Sequence, residues 1–112
     1  MESISYDQYL QNGAKLEPVP VEITGVPQPL LIHQFTMDQI ETLNEKSKDD
    51  DPEKSLRKQV LFFMRGIDSE PSDDDWKRLG SVFTGWQIRE VYTKAMKLNG
   101  FGPESLREAE KN

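Results

Sequence analysis

The stretch FTGWQIREVYTKAMKLNG, residues 83–100, carries the clearest structural signal in the 112-residue chain. Thr84 and Gln87 have the spacing of a capping box, in which a hydroxyl accepts the third amide of a helix and glutamine reaches back to the cap. Apolar residues then recur at helical spacing: Ile88, Val91, Tyr92, Ala95 and Leu98. Asn99 and Gly100 are typical of a left-handed helix end, with Phe101 placed to close it. The stretch predicts a last helix that packs through one face.

Three earlier helix starts use similar signals. Thr36 and Gln39 repeat the capping box, which predicts a helix from Met37 to about Ser47. Asp51 before Pro52 is typical of a cap followed by proline at the first helical position. The apolar residues after it fit a central core helix: Leu56, Val60, Phe63, Met64 and Ile67.

The third helix start is Ser72, which stands three residues before Asp75. This spacing again fits a capping box and predicts a short helix that presents Trp76 and Leu79. We expect Gly80 to interrupt this helix, because glycine is a poor helix former.

A change of period marks residues 15–35. Val19, Val21 and Ile23 alternate with polar or proline positions, the period of a half-buried strand. Turn-forming residues 24–29 separate this strand from a second apolar run, LLIHQF at residues 30–35. Since proline has no N–H for a sheet, the first strand should be an edge. Two strands alone are marginal in water, so the hairpin must pack on helices or pair with another chain.

These patterns predict a small single α+β domain, mostly helical, with an N-terminal β-hairpin and about four α-helices. The domain should span residues 15–101, as a hairpin at 15–35 and helices within 37–101. Residues 1–14 show no clear period and are predicted to form a flexible arm or one short helical turn. Residues 102–112 are predicted to be a charged tail.

Composition excludes several classes of function. A net charge of −6 argues against nucleic-acid binding, which normally needs a basic patch. Segment 83–112, with five basic and four acidic side chains, is the only stretch that is not acidic. The lack of cysteine favours a reducing compartment. With no signal peptide or apolar run of about 20 residues, we expect no membrane association.

No residue pattern predicts catalysis, a metal or a cofactor. His33 is the single histidine and has no cysteine or serine elbow to serve, so we interpret it as a partly exposed strand residue. The Asp49–Asp51 and Asp73–Asp75 runs lack the ligand spacing of an EF-hand. Each run precedes a helix, where the helix dipole favours carboxylates. Trp76 is interpreted as a core or partner contact, and the chain is predicted not to be an enzyme.

The order of parts resembles the tail assembly chaperones of long-tailed bacteriophages and prophages. The features that carry the resemblance are V-E-I-T-G in the hairpin, F-T-M-D-Q at a capped helix, and F-T-G-W-Q-I-R-E-V-Y-T-K-A-M-K-L-N-G before a short charged tail. The resemblance implies a non-enzymatic protein of the host bacterial cytoplasm. It would bind the tape-measure protein, help to recruit tail-tube protein, and be absent from the finished virion.

For binding of a client or a second copy, the predicted residues are an aromatic set near the C-terminus and the hairpin edge: Trp86, Tyr92, Phe101, Val19 and Val21. The resemblance also suggests a programmed −1 frameshift. Glu110, Lys111 and Asn112 can be encoded as GAA AAA AAC, which contains the slippery heptamer A AAA AAC. An ordinary frayed C-terminus is the alternative.

A second function class also fits the sequence. A small acidic regulator, such as a DNA mimic, would use the two aspartate runs as its working surface. Charge reversal of those runs distinguishes the two hypotheses, because a mimic should lose its partner and a chaperone should lose little beyond stability.

Overall fold

A computed structural model describes residues 3–12, 16–48 and 50–100 of the chain. Its elements in chain order are α1 (Tyr6–Asn12), β1 (Val19–Val21), β2 (Leu30–Ile32), α2 (Met37–Ser47), α3 (Pro52–Arg65), α4 (Asp73–Val82) and α5 (Gly85–Leu98). The predicted class, a mostly helical α+β domain with an N-terminal hairpin, is confirmed. Four helices follow the hairpin, as predicted, and α1 is an additional one.

The core is built around α3, which packs against α2, α4, α5 and strand β2. Phe62 and Phe63 are fully buried near the end of α3, where the hairpin and α5 meet it. The buried apolar residues come from every element after β1: Ile32, Ile40, Leu43, Val60, Leu61, Phe62, Phe63, Leu79, Ile88, Val91 and Ala95, with Ile23 from the hairpin loop. One small core therefore holds the hairpin against the helices.

The hairpin is an antiparallel pair in which Pro20 lies opposite Leu31. Because Pro20 has no N–H, this pair cannot exchange two hydrogen bonds, and the bonded pairs must be those on either side. The polar backbone groups of Pro20 and Leu31 therefore point away from the partner strand. His33 continues the alternation, and its N–H donates to the Phe63 carbonyl at 2.7 Å. Pro18 falls in the same phase as Pro20, so the outer edge of β1 lacks N–H donors at both positions.

The helix ends follow the predicted capping chemistry. Reciprocal capping boxes are present at Thr36, Ser72 and Thr84, and Asp51 caps α3 through the Lys54 N–H. At the end of α5, Gly100 has a φ of 83° and its N–H donates to the Lys97 carbonyl. This bond is one of the two that define the Schellman motif.

The predicted interruption at Gly80 is wrong, because α4 continues to Val82. The Arg57 side chain covers this glycine so closely that a Cβ there would lie 2.7 Å from Arg57 Nη1. Gly80 thus allows a close approach between α3 and α4 and does not end the helix.

The N-terminal segment forms a longer helix than the single turn that was predicted as one alternative. Helix α1 has seven residues, and each residue from Ser3 to Gln11 is exposed. The predictions for Phe101, for residues 102–112 and for residues 1, 2 and 13–15 lie outside the described residues. Within the described ranges, no helix has the length and apolar character needed to cross a membrane.

Candidate binding surface

One side of α5 is used to hold the hairpin loop. Glu90 Oε2 accepts the Thr24 N–H at 2.8 Å, and Gln87 Nε2 donates to the Thr24 carbonyl at 3.2 Å. One turn further on, Lys94 Nζ donates to the Glu22 carbonyl at 2.6 Å. The backbone N–H of Thr24, with a further contribution from Lys94, lowers the pKa of Glu90. These side chains satisfy backbone groups of a loop that has no partner strand there.

Asn99 holds the other end of the hairpin. Its Oδ1 accepts the Phe35 N–H at 2.7 Å, while Nδ2 donates to the carbonyls of His33 at 3.3 Å and Ala95 at 2.8 Å. Together with Gln87, Glu90 and Lys94, Asn99 forms what we call the polar seam. The seam fixes the rotation of α5, and so determines which residues of this helix face away from the hairpin.

The beginning of α5 and the end of α4 present large apolar side chains to solvent. Trp86 is 84% exposed and Val82 is 66% exposed. They flank the connection in which Phe83 ends α4 and Thr84 caps α5. Tryptophan is enriched at binding hot spots, and an uncovered tryptophan at a helix start points to a protein partner.

Cations accompany these apolar residues. Arg78 lies one helical turn before Val82 on the same face of α4, and Arg89 lies three residues after Trp86. Both arginines are exposed, and neither forms an ion pair within the described part of the chain. We call Arg78, Val82, Trp86 and Arg89 the α4–α5 corner. It combines apolar and positive character in a chain of net charge −6.

A small cavity of about 110 Å³ adjoins this corner, lined by Glu53, Arg57, Gly80, Phe83 and Arg89 among others. The Arg57 Nε atom is buried and makes no hydrogen bond to any described residue. A buried donor of this kind is costly unless an acceptor reaches it. The Arg57 side chain itself packs over Gly80 and beside the Trp76 ring.

The four predicted partner-binding residues that the structure describes differ in exposure. Trp86 is exposed, and Tyr92 is half-buried against the core. Val19 and Val21 are half-buried in β1, next to an edge that lacks two donors. Phe101 lies outside the described residues. Their role in binding stays a prediction, and only Trp86 belongs to the corner.

Val82, Arg78 and Arg89 were not identified from the sequence. Because α4 was predicted to be interrupted at Gly80, Val82 was not assigned to a helix. No local pattern shows which surface cations lack an ion-pair partner. The signal that was present in the sequence is charge, since the stretch from residue 83 is the only one that is not acidic.

Trp76 and the aspartate runs take part in the fold. Trp76 is half-buried, with the guanidinium of Arg57 5.8 Å from its ring centre and its Nε1 donating to Asp73. Asp75 accepts the Ser72 N–H at 2.9 Å and pairs with Arg65 at 2.9 Å. These bonds, the Ser72 bond first, lower the pKa of Asp75 to about 2.

The first aspartate run is also used internally where it is described. Asp50 pairs with Lys58 at 3.4 Å and Lys54 at 3.7 Å, and Asp51 caps α3. Asp49 lies outside the described residues. The interpretation of both runs as helix-start residues is consistent with these bonds.

A larger open groove of about 460 Å³ lies at the other end of α3, lined by Leu16, His33, Phe35, Arg65 and Ile67 among others. The His33 ring stacks on Phe35, with 6.3 Å between ring centres, and makes no hydrogen bond to a described residue. Aromatic packing on Phe35 is thus the contact that places the His33 ring among the described residues. Within the described ranges, no group of three acidic or histidine side chains is arranged to hold a metal ion.

Comparison with known proteins identifies no family for this chain. No protein-family model, curated protein or solved structure matches this chain. Functional inference therefore depends on the resemblance in the sequence and on the α4–α5 corner.

Proposed function

We propose that this chain is a tail assembly chaperone of a long-tailed phage or prophage. In this role it binds the tape-measure protein in the host bacterial cytoplasm, and helps to recruit tail-tube protein. The observation that supports the proposal is Trp86, which is 84% exposed within the stretch of sharpest resemblance, residues 83–100.

The corner has the composition that such binding needs. A tape-measure protein is a long helical chain with apolar segments, and an amphipathic helix binds by placing its apolar face on an apolar surface. Trp86 and Val82 supply apolar area, and arginine is the charged residue most enriched at binding hot spots.

The alternative, a small acidic regulator or DNA mimic, has less support. A mimic needs its carboxylates free to replace phosphates, but Asp50, Asp51 and Asp75 are engaged in caps and ion pairs. Asp73 and Asp74 remain exposed. Charge reversal at Asp74, which forms no ion pair among the described residues, tests the alternative without removing a cap.

Gene context is the first test. We expect an overlapping −1 reading frame at the 3′ end, with a slippery heptamer at Glu110–Asn112, followed by a very long reading frame with coiled-coil pattern. A neighbourhood without phage tail genes would contradict the chaperone proposal. Tail genes without the heptamer would remove only the frameshift hypothesis.

Direct binding is the second test. The chain is co-expressed with the tape-measure protein of the same gene cluster, and soluble complex is measured by pull-down. Trp86→Ala should reduce the complex, while Met37→Ala serves as a matched control, because Met37 is 77% exposed on another part of the surface. An equal loss of complex in the two variants, or no loss in either, would contradict the assignment of Trp86 to client binding. Binding lost on Asp74→Lys but retained in Trp86→Ala would favour the acidic regulator.

A further inference from the structure

Helix α1 is an amphipathic helix whose apolar face is not covered by the described part of the chain. Tyr6, Tyr9 and Leu10 lie on one face at i, i+3 and i+4, and are 75%, 49% and 58% exposed. An isolated helix shorter than about 12–15 residues is marginal in water, and α1 has seven. This helix therefore requires a surface that covers its apolar face.

The charge of α1 limits which surface can cover its apolar face. Residues 1–14 contain Glu2 and Asp7 and no lysine or arginine. The α4–α5 corner has the opposite character, with Trp86 and Val82 between two arginines that lack ion-pair partners in the described ranges. Complementary charge around an apolar centre selects the partner and its orientation.

The exposed Met37 fits α1 less well. It is followed by Asp38, and Glu41 lies one turn further on the same face of α2. Acidic neighbours repel an acidic helix, so the Met37 surface complements α1 less well than the corner does.

We propose that α1 of one copy docks on the α4–α5 corner of a second copy. In its own chain residues 6–11 of α1 are exposed, and the helix precedes Leu16, which lines the groove beside Arg65 at the C-terminal end of α3. The cavity at the corner is lined by Glu53 and Arg57, near the opposite end of α3. Reciprocal docking of two α1 helices gives a two-fold dimer with two equal contacts.

This inference is independent of the proposed function, because the association needs no client. The full chain is measured by sedimentation equilibrium over a range of concentration and salt. We expect a dimer that weakens as salt rises, since the contact includes charge pairs. Leu10→Ala and Trp86→Ala should each raise the Kd by about tenfold or more. Met37→Ala should leave it unchanged, and circular dichroism should show no loss of helix beyond the seven residues of α1 in any variant.

Mixing is the decisive arm of the experiment. Neither variant retains an intact contact with itself, but a pair of Leu10→Ala and Trp86→Ala chains retains one. The equimolar mixture should therefore associate more tightly than either variant alone. Charge reversal by Arg89→Glu should weaken association. A double variant that also carries Asp7→Lys should regain part of the lost affinity.

Three results would overturn the proposal. These are a wild-type chain that stays monomeric to about 1 mM, a Trp86→Ala chain that dimerises like the wild type, and a mixture without recovery. A monomer in which Leu10→Ala changes the tryptophan fluorescence, measured in a Trp76→Phe background that leaves Trp86 as the single tryptophan, would place α1 on its own corner and also exclude the second copy. None of these results affects client binding, which the pull-down measures separately.

Discussion

Helix α5 carries two sets of side chains, the polar seam and its part of the corner, which differ in how completely they are used. The four residues of the polar seam bind the loop and linker backbone at distances of 2.6 to 3.3 Å. Trp86 lies one turn before Glu90 of the seam, yet Trp86 and Arg89 are exposed and their side chains make no hydrogen bond or ion pair to a described residue. Folding thus uses the seam side chains and leaves the corner side chains for binding.

The difference has a physical basis in the hairpin. Two three-residue strands cannot satisfy the backbone of the loop and linker around them, so α5 supplies side-chain donors and acceptors. The corner has no comparable backbone to satisfy. A tryptophan there adds nothing to the core, and it buries about 150–250 Å² only when a partner covers it.

The largest effect should come from breaking the seam at Asn99. Asn99→Ala leaves the half-buried Phe35 N–H and His33 carbonyl without their side-chain partner, which should lower the free energy of unfolding by about 2 kcal/mol. Urea denaturation measures this value. Asn44→Ala is the matched control, because Asn44 is exposed within α2 and alanine is the better helix former there. Equal destabilisation by both substitutions would show that the Asn99 bonds contribute nothing.

A comparable effect should come from crowding the seam at Gly25. Gly25 has a φ of 83°, and a Cβ there would lie 2.9 Å from Gln87 Nε2, which is held by the Thr24 carbonyl. Gly25→Ala should therefore cost about 1–3 kcal/mol from backbone strain, plus the displaced Gln87 bond.

Two other glycines separate these contributions. Gly100 shares the φ of 83° but a Cβ there meets nothing within 4 Å, so Gly100→Ala should show strain alone. Gly85 has neither constraint, and Gly85→Ala should be neutral or stabilising by up to about 1 kcal/mol. Thermal unfolding of the three variants should place Gly25→Ala lowest and Gly85→Ala highest. Equal melting temperatures for Gly25→Ala and Gly100→Ala would show that the Gln87 contact does not contribute to the destabilisation.

The sequence predicted what is local. Capping boxes at Thr36, Ser72 and Thr84 act within three residues, and each marked a helix start correctly. The period of two around Val19 and Val21 predicted the first strand for the same reason, because neighbouring positions alternate between faces.

The polar seam was not predicted because its partners are far apart in the chain. Glu90 binds Thr24 across 66 residues, and Asn99 binds Phe35 across 64. Asn99 was interpreted only as a helix cap. Likewise, the glycine rule failed at Gly80 because the reason for that glycine is the Arg57 side chain on another helix.

Lowering the pH should weaken the polar seam and so lower the free energy of unfolding. Since the Thr24 N–H lowers the pKa of Glu90 in the folded chain, Glu90 contributes stability above its ordinary pKa of 4.5 that is lost as the pH falls below this value. Stability measured by urea denaturation from pH 7 to pH 3 should decrease. Glu90→Gln should make the decrease shallower, whereas Glu41→Gln, an exposed change on α2, should not. An identical slope in Glu90→Gln and the wild type would show that this carboxylate does not couple folding to pH.

The smallest effect on stability should come from the corner. Trp86→Ala removes a side chain that is 84% exposed, so the free energy of unfolding should change by no more than about 0.5 kcal/mol. Alanine also has the higher helix propensity, which offsets any small loss of contact near the start of α5. Urea denaturation at low protein concentration, where no association contributes, measures this value. A loss above about 1 kcal/mol would mean that Trp86 packs within its own chain, and the contrast between the polar seam and the corner would then fail. If Trp86→Ala leaves the free energy of unfolding unchanged but abolishes association, this tryptophan contributes to binding and not to folding, because it matters only when a second surface covers it.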